Sequence, residues 1–150
     1  MTEESVTKAL LDWLESTGWE VICYDFPQSG TGIALHPNSA LRETKNKGSI
    51  IPDIIAIRNG VVVFFENKDN FVQKDFDKVN RLRTTTNYSE AIIRLLKEYD
   101  YKKIFYGVGL PFTEKVVERT TNQIEQIDFA IFVSEDGSVK NTIDSFSLFS

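Results

Sequence analysis

Three residues of the chain combine types that do hydrolytic chemistry: Asp53, Glu66 and Lys68. Two carboxylates supply hard oxygen ligands for a divalent cation such as Mg²⁺, which is commonly held by one or two carboxylates together with substrate phosphate. A lysine beside them can orient or deprotonate a water and offset charge on a phosphate. The intervening sequence says how the three meet. Residues 50–68 hold two β-branched and aromatic runs on either side of Asn59-Gly60, the dipeptide of a two-residue type I′ turn. With that turn Arg58 pairs with Val61, and the same register sets Asp53 directly across from Glu66, with Cβ atoms roughly 4.5–5.5 Å apart. Lys68 stands two residues beyond Glu66 and so points to the same face.

The other hairpin positions are apolar on both faces: Ile55, Ile57, Val62 and Phe64 on one, Ile54, Ala56, Val61, Val63 and Phe65 on the other. Such a hairpin is covered on both sides and belongs at the centre of a sheet. Like charges facing each other destabilise a sheet. A divalent cation between Asp53 and Glu66, with Lys68 alongside, removes that cost. Strand ends in solvent would account for each residue singly, but the shared register and spacing favour a site.

Pro52-Asp53, twelve intervening residues and then Glu66-Asn67-Lys68 resemble the motif of the PD-(D/E)XK nuclease superfamily, which includes many restriction endonucleases and Holliday-junction resolvases. The resemblance implies Asp53, Glu66 and Lys68 as catalytic residues. It implies Asp53 and Glu66 as ligands of Mg²⁺, for which Mn²⁺ substitutes, with the backbone carbonyl of Asn67 completing the coordination. It also implies an acid reaching the metal from the first helix, for which Glu4 is the candidate, and a polar orienting residue after the motif, for which Gln73 stands. The implied product carries a 5′-phosphate. No specificity motif is recognisable.

Along the chain, Thr2 caps a first helix with Val6, Leu10, Trp13 and Leu14 on one stripe, stopping at Gly18. Residues 19–26 read as a strand. Residues 27–49 form a long loop rich in Gly, Ser, Thr, Asn and Pro, carrying Arg42, Lys45 and Lys47 just ahead of the hairpin, where contacts to a DNA backbone are expected. Asn70 caps a helix to about Arg83, with Gln73 and Lys74 in its first turn as further DNA-binding candidates, and Ser89 caps a second helix to Tyr99. A strand over 102–110 is stopped by Pro111, and its Gly107 and Gly109 mark a close backbone approach. Thr113 caps a helix to about Gln126, 129–133 is a strand, and 141–150 is a weakly determined tail. This succession predicts an α/β domain with a mixed central sheet flanked by helices. It matches the αβββαβ core of restriction-endonuclease-like proteins over about residues 3–133.

At 150 residues the chain is read as one domain, 1–150. A net charge of −5 is unfavourable for a nucleic-acid partner, but residues 74–103 carry eight Lys or Arg against five acids, and local potential decides phosphate binding. The single cysteine, Cys23, excludes an internal disulfide and suggests a reducing, cytoplasmic setting. No run approaches the length of a membrane span, and no signal peptide is expected. The lone histidine, His36, excludes multi-histidine nuclease chemistry and makes a poor zinc site. No Gly-rich phosphate loop follows a strand, so no nucleotide cofactor is expected.

The expected function is therefore a metal-dependent DNA endonuclease. A type II restriction endonuclease comes first, because the loop ahead of the hairpin suits groove reading. A structure-selective repair or Holliday-junction-resolving nuclease comes second. A non-catalytic DNA-binding or assembly module of the same fold, which has no reason to keep Lys68, is the reading from another class. Double-stranded DNA and a symmetric homodimer are the expected partners, since a duplex offers two strands to cut.

Overall fold

The computed structural model of the protein describes residues 1–26, 31–39 and 48–150. Among these, the chain runs α1 (Glu3–Ser16), β1 (Glu20–Tyr24), β2 (Ile54–Arg58), β3 (Val61–Asn67), α2 (Gln73–Thr84), α3 (Ser89–Leu95), β4 (Lys103–Pro111), α4 (Glu114–Thr121), β5 (Phe129–Val133) and β6 (Val139–Ile143). The six strands form one sheet in chain order. Strands β1, β2 and β3 are antiparallel, β3, β4 and β5 parallel, and β5 and β6 antiparallel. The mixed α/β architecture with an αβββαβ-type core is the one expected.

The hairpin at the centre forms as its sequence dictates. Asn59 and Gly60 take φ of 51° and 79°, the left-handed pair that a type I′ turn requires. Pairing runs from Arg58↔Val61 to Ile54↔Phe65; there the regular ladder stops, and the Asp53 N–H donates to Phe65 O, one residue away from the Glu66 that an uninterrupted register would set opposite it. The two hairpin faces separate into the two halves of the core. Ile55, Val62 and Phe64 pack with Phe76, Val79, Ile92 and Leu96 of the α2–α3 side. Ile54, Ala56, Val63 and Phe65 pack under Val6, Leu10 and Leu14 of α1.

Helix α1 starts in a capping box: Thr2 Oγ1 accepts from the Ser5 N–H and Ser5 Oγ from the Thr2 N–H. The α2 and α3 starts differ from expectation. Val72, not Asn70, precedes α2, with no side-chain cap. Helix α3 begins at Ser89 and is capped from a distance: Asn38 Oδ1 accepts from the Glu90 N–H at 3.0 Å, while its Nδ2 donates to Thr86 O and Ser89 Oγ. A cap supplied by the long loop replaces the local one. The helix then ends at Leu95 rather than Tyr99, and its Ile93 is 60% exposed. The described part of the loop is thus docked, with Leu35 buried and bridged to Ile50 just ahead of the hairpin.

The tail needs correcting. Residues 139–143 form edge strand β6, and the segment beyond is part of the α1-side core instead of the weakly determined end assigned to 141–150. Phe149 packs against Trp13, Trp19, Phe65 and Phe129 with ring centroids 5.1–6.2 Å apart. Arg58 holds it there, donating to Thr17 O and Leu148 O and stacking over Trp19. Among the described residues, no helix is long and apolar enough to cross a membrane.

Candidate active site

Asp53 precedes β2, and its peptide is pinned from both neighbouring strands. Its N–H donates to Phe65 O at 3.0 Å and its carbonyl accepts from the Asp25 N–H at 2.9 Å. The side chain is 7% exposed, and Oδ2 accepts from the backbone N–H of Asn67 at 2.7 Å. Burial, and then the facing Glu66, push the Asp53 carboxyl up to about 8 against the pull of that N–H. The Glu66 carboxyl is also raised by burial, with Lys78 opposing. Two acids that both resist ionising thus lie close together.

Lys68 follows β3 and lies in the field of both acids, but its ion-pair partner is Glu3, at 3.7 Å. Burial works against its ammonium, yet Asp75, Glu3, Glu66 and Asp53 together hold its pKa above the ordinary lysine value. Partial burial on its own would lower it; four surrounding acids outweigh that. The ammonium bonded to Glu66 comes from elsewhere. Lys78 of α2 lies 3.0 Å from Glu66 Oε2.

The helix-one acid that approaches the site is Glu3 and not Glu4. At 100° per residue Glu3 falls on the stripe of Thr7, Leu10 and Leu14, whereas Glu4 lies about 120° from Leu10 and is exposed. Asn67 splits its roles. Its N–H faces Asp53 while the N–H of Lys68 faces β4 and donates to Gly109 O, so the Asn67 carbonyl shares the Asp53 edge. Its side chain turns to the other face, fully buried, with Nδ2 donating to Thr7 Oγ1 at 3.0 Å. Gly109 allows this: a Cβ there would run into Leu10 and the Asn67 amide oxygen.

Gln73 lies off the acid pair, donating to Asp77 and Gln123. Lys74 lines a cleft of 530 Å³ with Lys78, Arg81, Tyr88 and residues 48–50. Arg42, Lys45 and Lys47 lie outside the described residues. Of the remaining singled-out residues, His36 Nδ1 bonds Ser49 Oγ at 2.7 Å, and Cys23 is buried with its thiol pushed up to about 11, which leaves it inert. Sequence reasoning missed Glu3, Thr7, Asp75 and Lys78. The signal was available for Asp75, which falls within the apolar stripe of α2 formed by Val72, Phe76, Val79 and Leu82, while Lys78 stands at the border of that stripe.

Among the described residues no three His, Cys, Asp or Glu side chains form a metal cage. The donor set, two carboxylates and a carbonyl edge, does fit Mg²⁺, which keeps several waters and needs only one or two protein acids.

No protein-family model matches the chain, and no curated protein matches it. Among solved structures it is similar to an XisH family protein from Nostoc punctiforme, at 15% identity and a TM-score of 0.46, over 93% of this chain and 99% of that one. It is also similar to an fdxN element excision controlling factor protein from Anabaena variabilis, at 16% identity and a TM-score of 0.45, over 93% and 98%. Likeness this distant carries no argument about activity. What the geometry defines is an α/β domain with a buried acid pair at the heart of its sheet.

Proposed function

We propose that the chain is a metal-dependent endodeoxyribonuclease of the PD-(D/E)XK type. The observation that carries this reading is the closeness of two shielded carboxylates, Asp53 at the entry to β2 and Glu66 near the end of β3, with the Lys68 ammonium in the field of both. A structural core has no use for such a pair, because each acid raises the cost of ionising the other.

In this reading Asp53, Glu66 and the Asn67 carbonyl hold Mg²⁺ or Mn²⁺. When bound, the cation relieves charge on the scissile phosphate and lowers the pKa of a water. The Asn67 N–H fixes the Asp53 carboxylate, leaving its second oxygen for the ligand role. Lys68, kept protonated by its acidic surroundings, stabilises the charge that builds on the phosphate. Glu3 steadies that ammonium. Water would add to phosphorus, giving up a proton to solvent, as the bond to the 3′ oxygen breaks; that oxygen takes up a proton from solvent, leaving a 5′-phosphate and a 3′-hydroxyl. Duplex DNA read by the segment ahead of the hairpin, as in a restriction endonuclease, is the substrate we assign, with a homodimer cutting both strands.

The test is cleavage of plasmid and of branched DNA in Mg²⁺ and in Mn²⁺, comparing wild type with Lys68→Ala. Discrete plasmid fragments lost in the variant support the restriction reading, and cutting confined to branched DNA supports a structure-selective nuclease. A folded protein that cuts neither would leave a binding module.

A further inference from the structure

Lys78 belongs to two places at once. It lies on the inner side of α2, its Nζ 3.0 Å from Glu66 Oε2 and its side chain 37% exposed, while the Glu66 side chain is 11% exposed. It also lines the open cleft in which Lys74 and Arg81 stand four residues before it and three after it, on the same side of the helix, with Tyr88 across. Among the described residues it is the one ammonium within ion-pair distance of Glu66, since Lys68 pairs with Glu3 instead.

A cation at the acid pair and the Lys78 ammonium claim the same carboxylate. They also repel each other across a part-buried space where charges are weakly screened. Lys78 has a flexible four-carbon stem and an exposed route out. What waits outside is the Lys74–Arg81 cleft, whose remaining charged group is Asp77 and whose balance is positive, suited to a phosphate.

We propose that Lys78 is an exchangeable counter-cation: it neutralises Glu66 until a metal ion takes that carboxylate, then turns to a nucleic-acid phosphate in the adjoining cleft. Metal loading and phosphate binding are thereby coupled, and the coupling is reciprocal. The inference rests on the nuclease reading for the metal and for the nucleic acid. It makes Lys78 a positioning residue, distinct from Lys68.

The experiment is calorimetric titration of Mn²⁺ into wild type, Lys78→Gln, Lys78→Arg and Asp53→Asn, together with the salt dependence of binding to a labelled 20-mer duplex. Ca²⁺ replaces Mn²⁺ in the duplex measurement, to avoid cutting. Lys78→Gln is expected to bind Mn²⁺ about three- to tenfold tighter than wild type, the scale of one lost hydrogen-bonded ion pair. Lys78→Arg, which keeps the cation, is expected to stay near wild type. Ca²⁺ should strengthen duplex binding more in wild type than in Lys78→Gln, and the glutamine variant's salt slope should fall by about one in the presence of Ca²⁺. Unchanged Mn²⁺ affinity in Lys78→Gln, with binding still lost in Asp53→Asn, overturns the exchange and leaves the nuclease reading standing. Absence of Mn²⁺ binding in wild type overturns both.

Discussion

The backbone N–H of Asn67 lies 2.7 Å from the Asp53 carboxylate, so the residue between Glu66 and Lys68 locks the acid of the neighbouring strand. One short hydrogen bond therefore joins both halves of the candidate motif. It works only because the β2–β3 turn holds two residues; a one-residue slip would send Glu66 and Lys68 to the opposite face.

That lock does not relieve the charge on Asp53, which sets the first prediction. Its folded pKa, about 8, lies above the unfolded value of roughly 3.9. The folded state then binds the proton more tightly, so this contribution to stability is complete below about pH 4 and fades as pH rises through about 8. Chelator-treated wild type should lose on the order of a few kcal/mol between pH 5 and pH 8.5 in urea melts. Asp53→Asn should flatten the profile and be the more stable protein at pH 8.5. A wild-type profile that rises with pH over that span contradicts the assignment.

Lys68→Ala should separate binding from chemistry. The acid pair keeps its oxygens, so Mn²⁺ affinity in calorimetry should hold or improve, while cleavage falls by roughly 10²-fold or more for loss of a group that stabilises transition-state charge. Equal losses in metal affinity and rate would place Lys68 in the metal site's support instead.

Beneath the site, Thr7→Val removes the acceptor for the buried Asn67 amide. With Asn67 Oδ1 already unpartnered, a second orphaned group should cost about 1–3 kcal/mol in denaturant melts. Gly109→Ala presses on the same amide and on Leu10, and should cost a similar ~1–3 kcal/mol by overpacking. Wild-type stability in both would mean the Asn67 side chain does not seat α1 on the sheet.

Arg58 tests the tail. Arg58→Ala loses three hydrogen bonds to backbone carbonyls, of Thr17, Leu148 and Ser150, and the stacking over Trp19, and should lower stability by about 2 kcal/mol. Limited proteolysis should then cut near Phe146, which is already exposed, faster than in wild type. An unchanged proteolytic pattern contradicts a clamped tail.

What could be read beforehand divides along physical lines. Asn59-Gly60 and a period of two determine the hairpin register from Arg58 and Val61 to Ile54 and Phe65, because turn chemistry and pleat are local rules; Asp53 comes near Glu66 as expected, but its backbone leaves that register. The tail was not legible. Strand β6 reads Val-Lys-Asn-Thr-Ile, a polar edge strand with no apolar alternation, and the packing of Phe149 depends on partners as far away as Trp13. The α3 cap was hidden for the same reason, since Asn38 stands 52 residues before Glu90. Glu3 was a different failure: helical phase separates it from Glu4 by a full 100°, and the stripe of Leu10 and Leu14 already chose between them. Asp75 was visible as a charge on an inward stripe, a pattern that marks a partner for buried charge, whereas Lys78 stands at the stripe's border and reads as an ordinary surface lysine.

The most direct test of the central claim is incubation of an end-labelled duplex with wild type and with Asp53→Asn, in Mg²⁺ and in chelator, with analysis of the product ends. Wild type is expected to cleave in Mg²⁺ and not in chelator, leaving 5′-phosphate ends that a ligase rejoins. Cleavage that survives in Asp53→Asn or in chelator, or none from folded wild type with Mg²⁺ bound, would contradict that claim.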